Sequence, residues 1–302
     1  MTLRLYYLLA LCLWLFSHAS VGAESSAAAI APSVMVVRYH DAGDADKHNG
    51  FQFELIRQAL EISRPEFGDY IIRPYSTAPT AKRQAILLGE GKLMNIQWAS
   101  PGTPIAQGDV IQVPGDIMQG AMGFRVCLLN RHQLANFAAV KNLADLRNFT
   151  IGQGQDWTDK LIYIHNNIPL VEAPGLGNLF PFLASGRVDC LALGIHEIGF
   201  KYRQEKTKYP QLSIEPSLLL YYEFPTYLYV SKRDPLLAER ITLGLRKLQA
   251  SGAYEKLFAQ YFARDIVPLH LHERTIICLK SPYLPQASQC NSPVTLPTFF
   301  RN

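Results

Sequence analysis

The residues with the types and spacing to do chemistry are spread along the chain. The stretch TIGQGQDWTDKL, residues 150–161, sets Gly152 and Gly154 between an apolar run and the expected start of a helix. Backbone N–H groups of residues 154–157 at a helix N-terminus would suit a carboxylate or another small anion, since the dipole and the open N–H groups both favour negative charge. Gln155 and Trp157 are the side chains such a loop would offer to a bound molecule. The same text also reads as a plain capped turn, with Asp156 or Thr158 as the N-cap. It has neither the third glycine of a dinucleotide fingerprint nor the Lys-Ser/Thr of a phosphate loop, which argues against nucleotide binding.

Arg125 opens an otherwise apolar run, FRVCLLN. Burying a guanidinium alone is costly, so it needs a partner. That partner is either a bound molecule or an acid such as Asp116 in a salt bridge. Tyr39 and Trp98 close two strand-like runs and can present flat ring faces; His196 and Glu197 end a third. Each of these four can equally be core or rim. Asp189, in GRVD, reads as orienting its local turn. YHDAGDADKHNG misses the spacing of a calcium loop. HLHE, residues 270–273, sets two histidines two apart, a poor match to one helical face. No metal site is expected. No nucleophile elbow, zinc helix or thiol–imidazole pair occurs, so no catalytic residue is assigned and the chain is not expected to be an enzyme.

The elements that must position these residues are legible. VMVVRYH, residues 34–40, is an apolar, β-branched strand. GFQFELIRQALEIS follows with Phe51, Leu55, Ala59 and Ile62 at helical spacing, beside a second row of Phe53, Ile56 and Leu60. So wide a stripe belongs to a helix packed on a sheet. YIIRPYS is another strand. TAKRQAILLGEGKLMNIQWAS then reads as a helix stopped near Gly89 and a strand over residues 93–98; LFPFLASGRVDCLALGIHE repeats the arrangement, with Gly186 as the stop and a strand over 188–193. Two helix–Gly–strand copies predict an α/β protein of two Rossmann-like lobes. GAMGFRVCLLN and FPTYLYVSKRD provide two hinge crossings, the second leading into a helix with Asp234 as N-cap and Pro235 as its first residue. Ligands of open α/β sheets collect at the carboxyl ends of strands, which two such lobes would face across a cleft.

Near the start of the chain a basic residue, Arg4, is followed by an apolar run over residues 5–16 and a small-residue site at Val21, Gly22 and Ala23. This pattern predicts a cleaved secretory signal over residues 1–23 and hence a periplasmic location. The expected lobes are 24–123 with 228–268, and 124–227; residues 269–302 form a tail packed on the first lobe or only loosely held. With 48% hydrophobic and 18% charged residues the chain has the apolar content for sizeable cores. Its net charge of +4 is scattered, without the basic runs of a nucleic-acid binder. Export permits disulfides. Cys278 and Cys290 flank a loop and can be bridged; Cys127 and Cys190 lie in strand-like runs and are either buried thiols or a bond.

GFQFELIRQALE, DLRNFTIGQGQDW, ASGRVDCLALG and YLYVSKRDPLLAERITLGLRKLQASGAYEKLFAQYF occur in an order that resembles the bacterial extracellular solute-binding proteins of family 3, which include periplasmic receptors for polar amino acids. The resemblance covers roughly residues 34–262. It implies a type II periplasmic binding protein-like fold, no cofactor, a monomer, and a small polar ligand (an amino acid or related organic anion) delivered to a membrane permease. A membrane sensor protein is the alternative partner, and a small exported lyase using Glu197 or Glu223 a further alternative. The family's ligand-gripping arginine, in a Thr/Ser-x-x-Arg segment after the strand ending at Trp98, is missing: Thr103 is present, but no arginine precedes Arg125. The residues expected to touch ligand are Tyr39, Trp98, Arg125, Gln155, Trp157, His196 and Glu197.

Overall fold

A computed structural model describes residues 34–40, 47–77, 79–284 and 290. The expected signal segment, most of the Asp-rich stretch after His40 and the end of the tail lie outside the described residues. In chain order the strands are β1 (Met35–His40), β2 (Tyr70–Tyr75), β3 (Ile96–Ala99), β4 (Val110–Gln112), β5 (Phe124–Asn130), β6 (Ile151–Gly154), β7 (Leu170–Ala173), β8 (Cys190–Gly194), β9 (Leu212–Ile214), β10 (Leu218–Tyr221), β11 (Tyr227–Ser231) and β12 (Thr275–Cys278). They form two sheets, one ordered β2-β1-β3-β11-β4, the other β12-β10-β5-β8-β6-β7 with β9 also paired to β5.

Each sheet is mixed. β1 runs parallel to β2 and β3, while β11 is antiparallel to β3 and β4. In the second sheet β6 is parallel to β7 and β8, and β5 is antiparallel to β8 and β10. The apolar runs read as strands are buried along their length: every residue of β8, and all of β5 except Asn130. Strands covered on both faces lose the polar alternation of a half-solvated sheet.

The chain passes from the first sheet to the second after β4 and returns after β10, through residues 113–123 and 222–226. Asp116 braces the two passages. Its Oδ1 accepts from Met118 N and Thr226 N, both at 2.9 Å, and its Oδ2 from Gly120 N at 2.7 Å. Burial pushes its carboxyl above the usual range, against the pull of these three N–H groups.

The helix Lys47–Ile62 covers the first sheet and crosses Pro235–Ala250 so closely that a Cβ on Gly244 would stand 2.2 Å from the Ala59 carbonyl oxygen. The latter helix does begin at Pro235 after Asp234, although the Asp234 side chain makes no capping bond and accepts instead from Asn95. The stop after Ala81–Glu90 is Gly91, not Gly89: Gly91 has the left-handed φ of +66° that a C-cap needs.

The tail departs from expectation. β12 pairs in parallel with β10, so the segment from Thr275 belongs to the second sheet rather than the first lobe. TIIC is mostly β-branched and supplies an edge strand; Asn166 then fixes Lys280, two residues on, by accepting from Lys280 N and donating to Lys280 O. Cys278 and Cys290 are bonded, and so are Cys127 and Cys190. The second bond follows from strand pairing, since Cys190 sits opposite Leu129 on the antiparallel neighbour of the strand carrying Cys127.

Candidate functional site

A cleft of about 480 Å³ opens between the two sheets. The first sheet contributes Tyr39 and His40 from the end of β1 and residues 97–100 at the end of β3. The second contributes Arg125, residues 156–159 after β6, and Glu197 after β8. β1, β3, β6 and β8 all deliver the chain to the cleft at their carboxyl ends, the usual place for ligands on open α/β sheets. Met122 and Phe224, from the two passages between sheets, close one wall.

Arg125 sits in the floor, 6% exposed. Its Nη2 lies 3.2 Å from Asp159 Oδ2 and its Nη1 3.4 Å from Glu197 Oε1. Its guanidinium carbon stands 5.6 Å from the Tyr222 ring centroid, and the Tyr222 hydroxyl donates to the same Asp159 oxygen at 2.8 Å. Burial alone would pull the guanidinium down, but Tyr222, Asp159 and Glu197 together hold it above the ordinary arginine value. Burial likewise pushes the phenols of Tyr222 and Tyr163 up. Gly194 N donates to Glu197 Oε1 at 3.0 Å, which fixes that carboxylate against the end of β8.

Arg125 therefore does have a salt bridge, but to Asp159 and Glu197. Asp116, suggested by proximity in sequence, is occupied with backbone N–H groups of the passages. Asp159 is the residue the sequence reading missed. It was hidden among three polar neighbours at a helix start, and only the fold brings it to Arg125.

Of the seven residues expected to touch ligand, Tyr39, Trp98, Arg125, Trp157 and Glu197 line the cleft. Gln155 and His196 do not. Gln155 is exposed, and its backbone carbonyl accepts from Lys160 Nζ. His196 packs edge-on against Phe262 in the helix Ala253–Ile266, with ring centroids 5.9 Å apart. Thr103 lines the cleft while its hydroxyl serves a turn, donating to Ser100 O and accepting from Ala106 N. Glu223 is not part of the lining.

The glycine loop is not the anion cradle its text suggests. Gln155 N is bonded to Ala173 O and Trp157 N to Gly154 O, so two of the four N–H groups are spent. The following helix, Lys160–His165, starts later than expected and has only six residues. What the loop gives the cleft is side chains. Gly154 makes room for one of them: a Cβ there would stand 2.6 Å from Trp157 Nε1.

No family model matches the sequence, and no curated protein does. Solved structures do. The GluR0 ligand-binding core in complex with L-glutamate is 13% identical with a TM-score of 0.55, covering 76% of this chain and 99% of that one. A histidine kinase sensor domain similar to periplasmic binding proteins is 18% identical, TM-score 0.52, covering 76% and 96%. An amino acid ABC transporter substrate-binding protein from Streptococcus pneumoniae, bound to L-arginine, is 18% identical, TM-score 0.51, covering 77% and 95%. The fold is that of a periplasmic binding protein. At these identities the likeness extends to fold alone. Among the described residues no helix is long and apolar enough to cross a membrane.

Proposed function

We propose that this chain is a periplasmic solute-binding protein that closes on a small polar ligand without transforming it and delivers it to a membrane permease. The observation that carries this reading is the cleft itself, walled by strand ends from both sheets, which the passages 113–123 and 222–226 and the segment from β11 to β12 connect. Such a build permits hinge closure about the passages. Its volume suits a small molecule, since ligand pockets run from roughly 300 to 1,000 Å³.

A second reading, a ligand sensor docking on a membrane signalling protein, is favoured by the likeness to a histidine kinase sensor domain. Both readings share the binding step. A thermal-shift screen of amino acids, organic acids and polyamines tests it, because a ligand at a hundred times its dissociation constant adds about 2.7 kcal/mol. A stabilising hit is expected; a screen without one counts against both. Co-purification with a permease complex or with a membrane kinase separates transport from sensing.

A further inference from the structure

We propose that the cleft takes an organic cation, an amine or quaternary ammonium without a carboxylate, in preference to an anion or a zwitterion. The inference rests on the solute-binding reading and names the ligand class of the same cleft.

The first observation is the charge of the lining. It holds one formal positive charge, Arg125, against three negative ones, Asp156, Asp159 and Glu197. The second is that the positive charge is committed. Both terminal nitrogens of Arg125 face protein carboxylates; its Nε has no hydrogen-bond partner among the described residues but is buried with the rest of the side chain. An incoming carboxylate would have to displace one of these acids or crowd beside them, and like charges within ~4–6 Å disfavour each other's ionised forms.

The third observation points to a donor. Asp159 Oδ2 accepts from Tyr222 and faces Arg125; Glu197 Oε1 faces Arg125 and accepts from Gly194 N. The outer oxygens, Asp159 Oδ1 and Glu197 Oε2, have no hydrogen-bond partner among the described residues, although Asp159 is only 5% exposed. An ionised carboxylate only accepts, and an ammonium group only donates. The remaining walls suit the same guest. Trp98, Trp157 and Phe224 line the same cleft as the acids, and a cation within about 6 Å of a ring centroid is attracted to its face.

The test is calorimetric titration of the whole protein with four probes: choline, 1,4-diaminobutane, L-glutamine and succinate. At least one of the two cations is expected to bind, with glutamine and succinate at least tenfold weaker or silent. Glu197→Gln and Asp159→Asn should each weaken the cation at least tenfold; Glu197→Gln is the safer of the two, since Glu197 is the less buried partner of Arg125. Equal or tighter binding of succinate or glutamine overturns the cation assignment while upholding the solute-binding reading. Silence from both cations at millimolar concentration also overturns it, leaving the broader screen to judge that reading. Unchanged cation affinity in a folded Glu197→Gln variant overturns it as well.

Discussion

Replacing Arg125 by methionine keeps most of the side chain's bulk and removes its charge. At an effective dielectric of about 20, unit charges at the 3.2 Å separation of Arg125 and Asp159 attract by about 5 kcal/mol, and the pair to Glu197 at 3.4 Å by nearly as much. Dehydrating the three groups cancels much of this, so the intact triad contributes far less than the sum. The substitution does not reverse both terms. It leaves the Asp159 carboxyl, 5% exposed, without its cation and with the Tyr222 hydroxyl as its remaining side-chain donor among the described residues. Breaking one side of a buried pair in this way costs about 3–5 kcal/mol. Urea unfolding of the wild type and Arg125→Met should show that loss. Arg125→Met/Asp159→Asn should recover more than half of it, because the uncompensated charge has gone. A single-variant loss below about 1 kcal/mol, or a double variant that loses the sum of the two single losses, would refute the reasoning.

Three further outcomes follow from the same geometry. The Cys127–Cys190 bond spans 63 residues and Cys278–Cys290 spans 12, so the chain-entropy relation gives about 4.3 and 2.8 kcal/mol; urea midpoints of the paired Cys→Ser variants should fall in that order. Tyr163, Tyr222 and Tyr254 have phenols pushed up by burial, so the unfolded chain ionises first as pH rises. Their contribution is intact below about pH 10 and declines above it, by up to about 1.4 kcal/mol per pH unit for each; Tyr222→Phe should flatten the alkaline limb of stability against pH, and an unchanged limb would count against it. Gly154→Ala sets a methyl against the Trp157 indole. Overpacking of this kind costs about 1–3 kcal/mol, and a displaced indole should weaken ligand binding in the titrations above.

The fold was legible because its signals are local. Wide helical stripes, β-branched runs, the Asp234–Pro235 helix start and the repeated helix–Gly–strand arrangement each fall within some twenty residues of text. Five of seven expected ligand contacts reach the cleft because strand ends do. Gln155 and His196 each adjoin a lining residue, Asp156 or Glu197, without joining the lining, and the His196 ring packs against Phe262. Asp159 and Asp116 were illegible as an ion-pair partner and a brace, since both roles come from segments far apart in sequence. The Cys127–Cys190 bond and the place of β12 depend on which strands are neighbours, and apolar patterning carries no register between distant strands.

The central claim, that a small molecule binds between the two sheets, is tested most directly by tryptophan emission. Trp98 and Trp157 both line the cleft, and the third tryptophan, Trp14, lies in the segment expected to be cleaved, so the mature protein reports from the cleft alone. Titration with whichever compound calorimetry identifies should change the emission in step with the heat, and Trp98→Phe and Trp157→Phe should each retain part of the change. Emission that stays constant while calorimetry reaches saturation would place the ligand elsewhere and contradict the account.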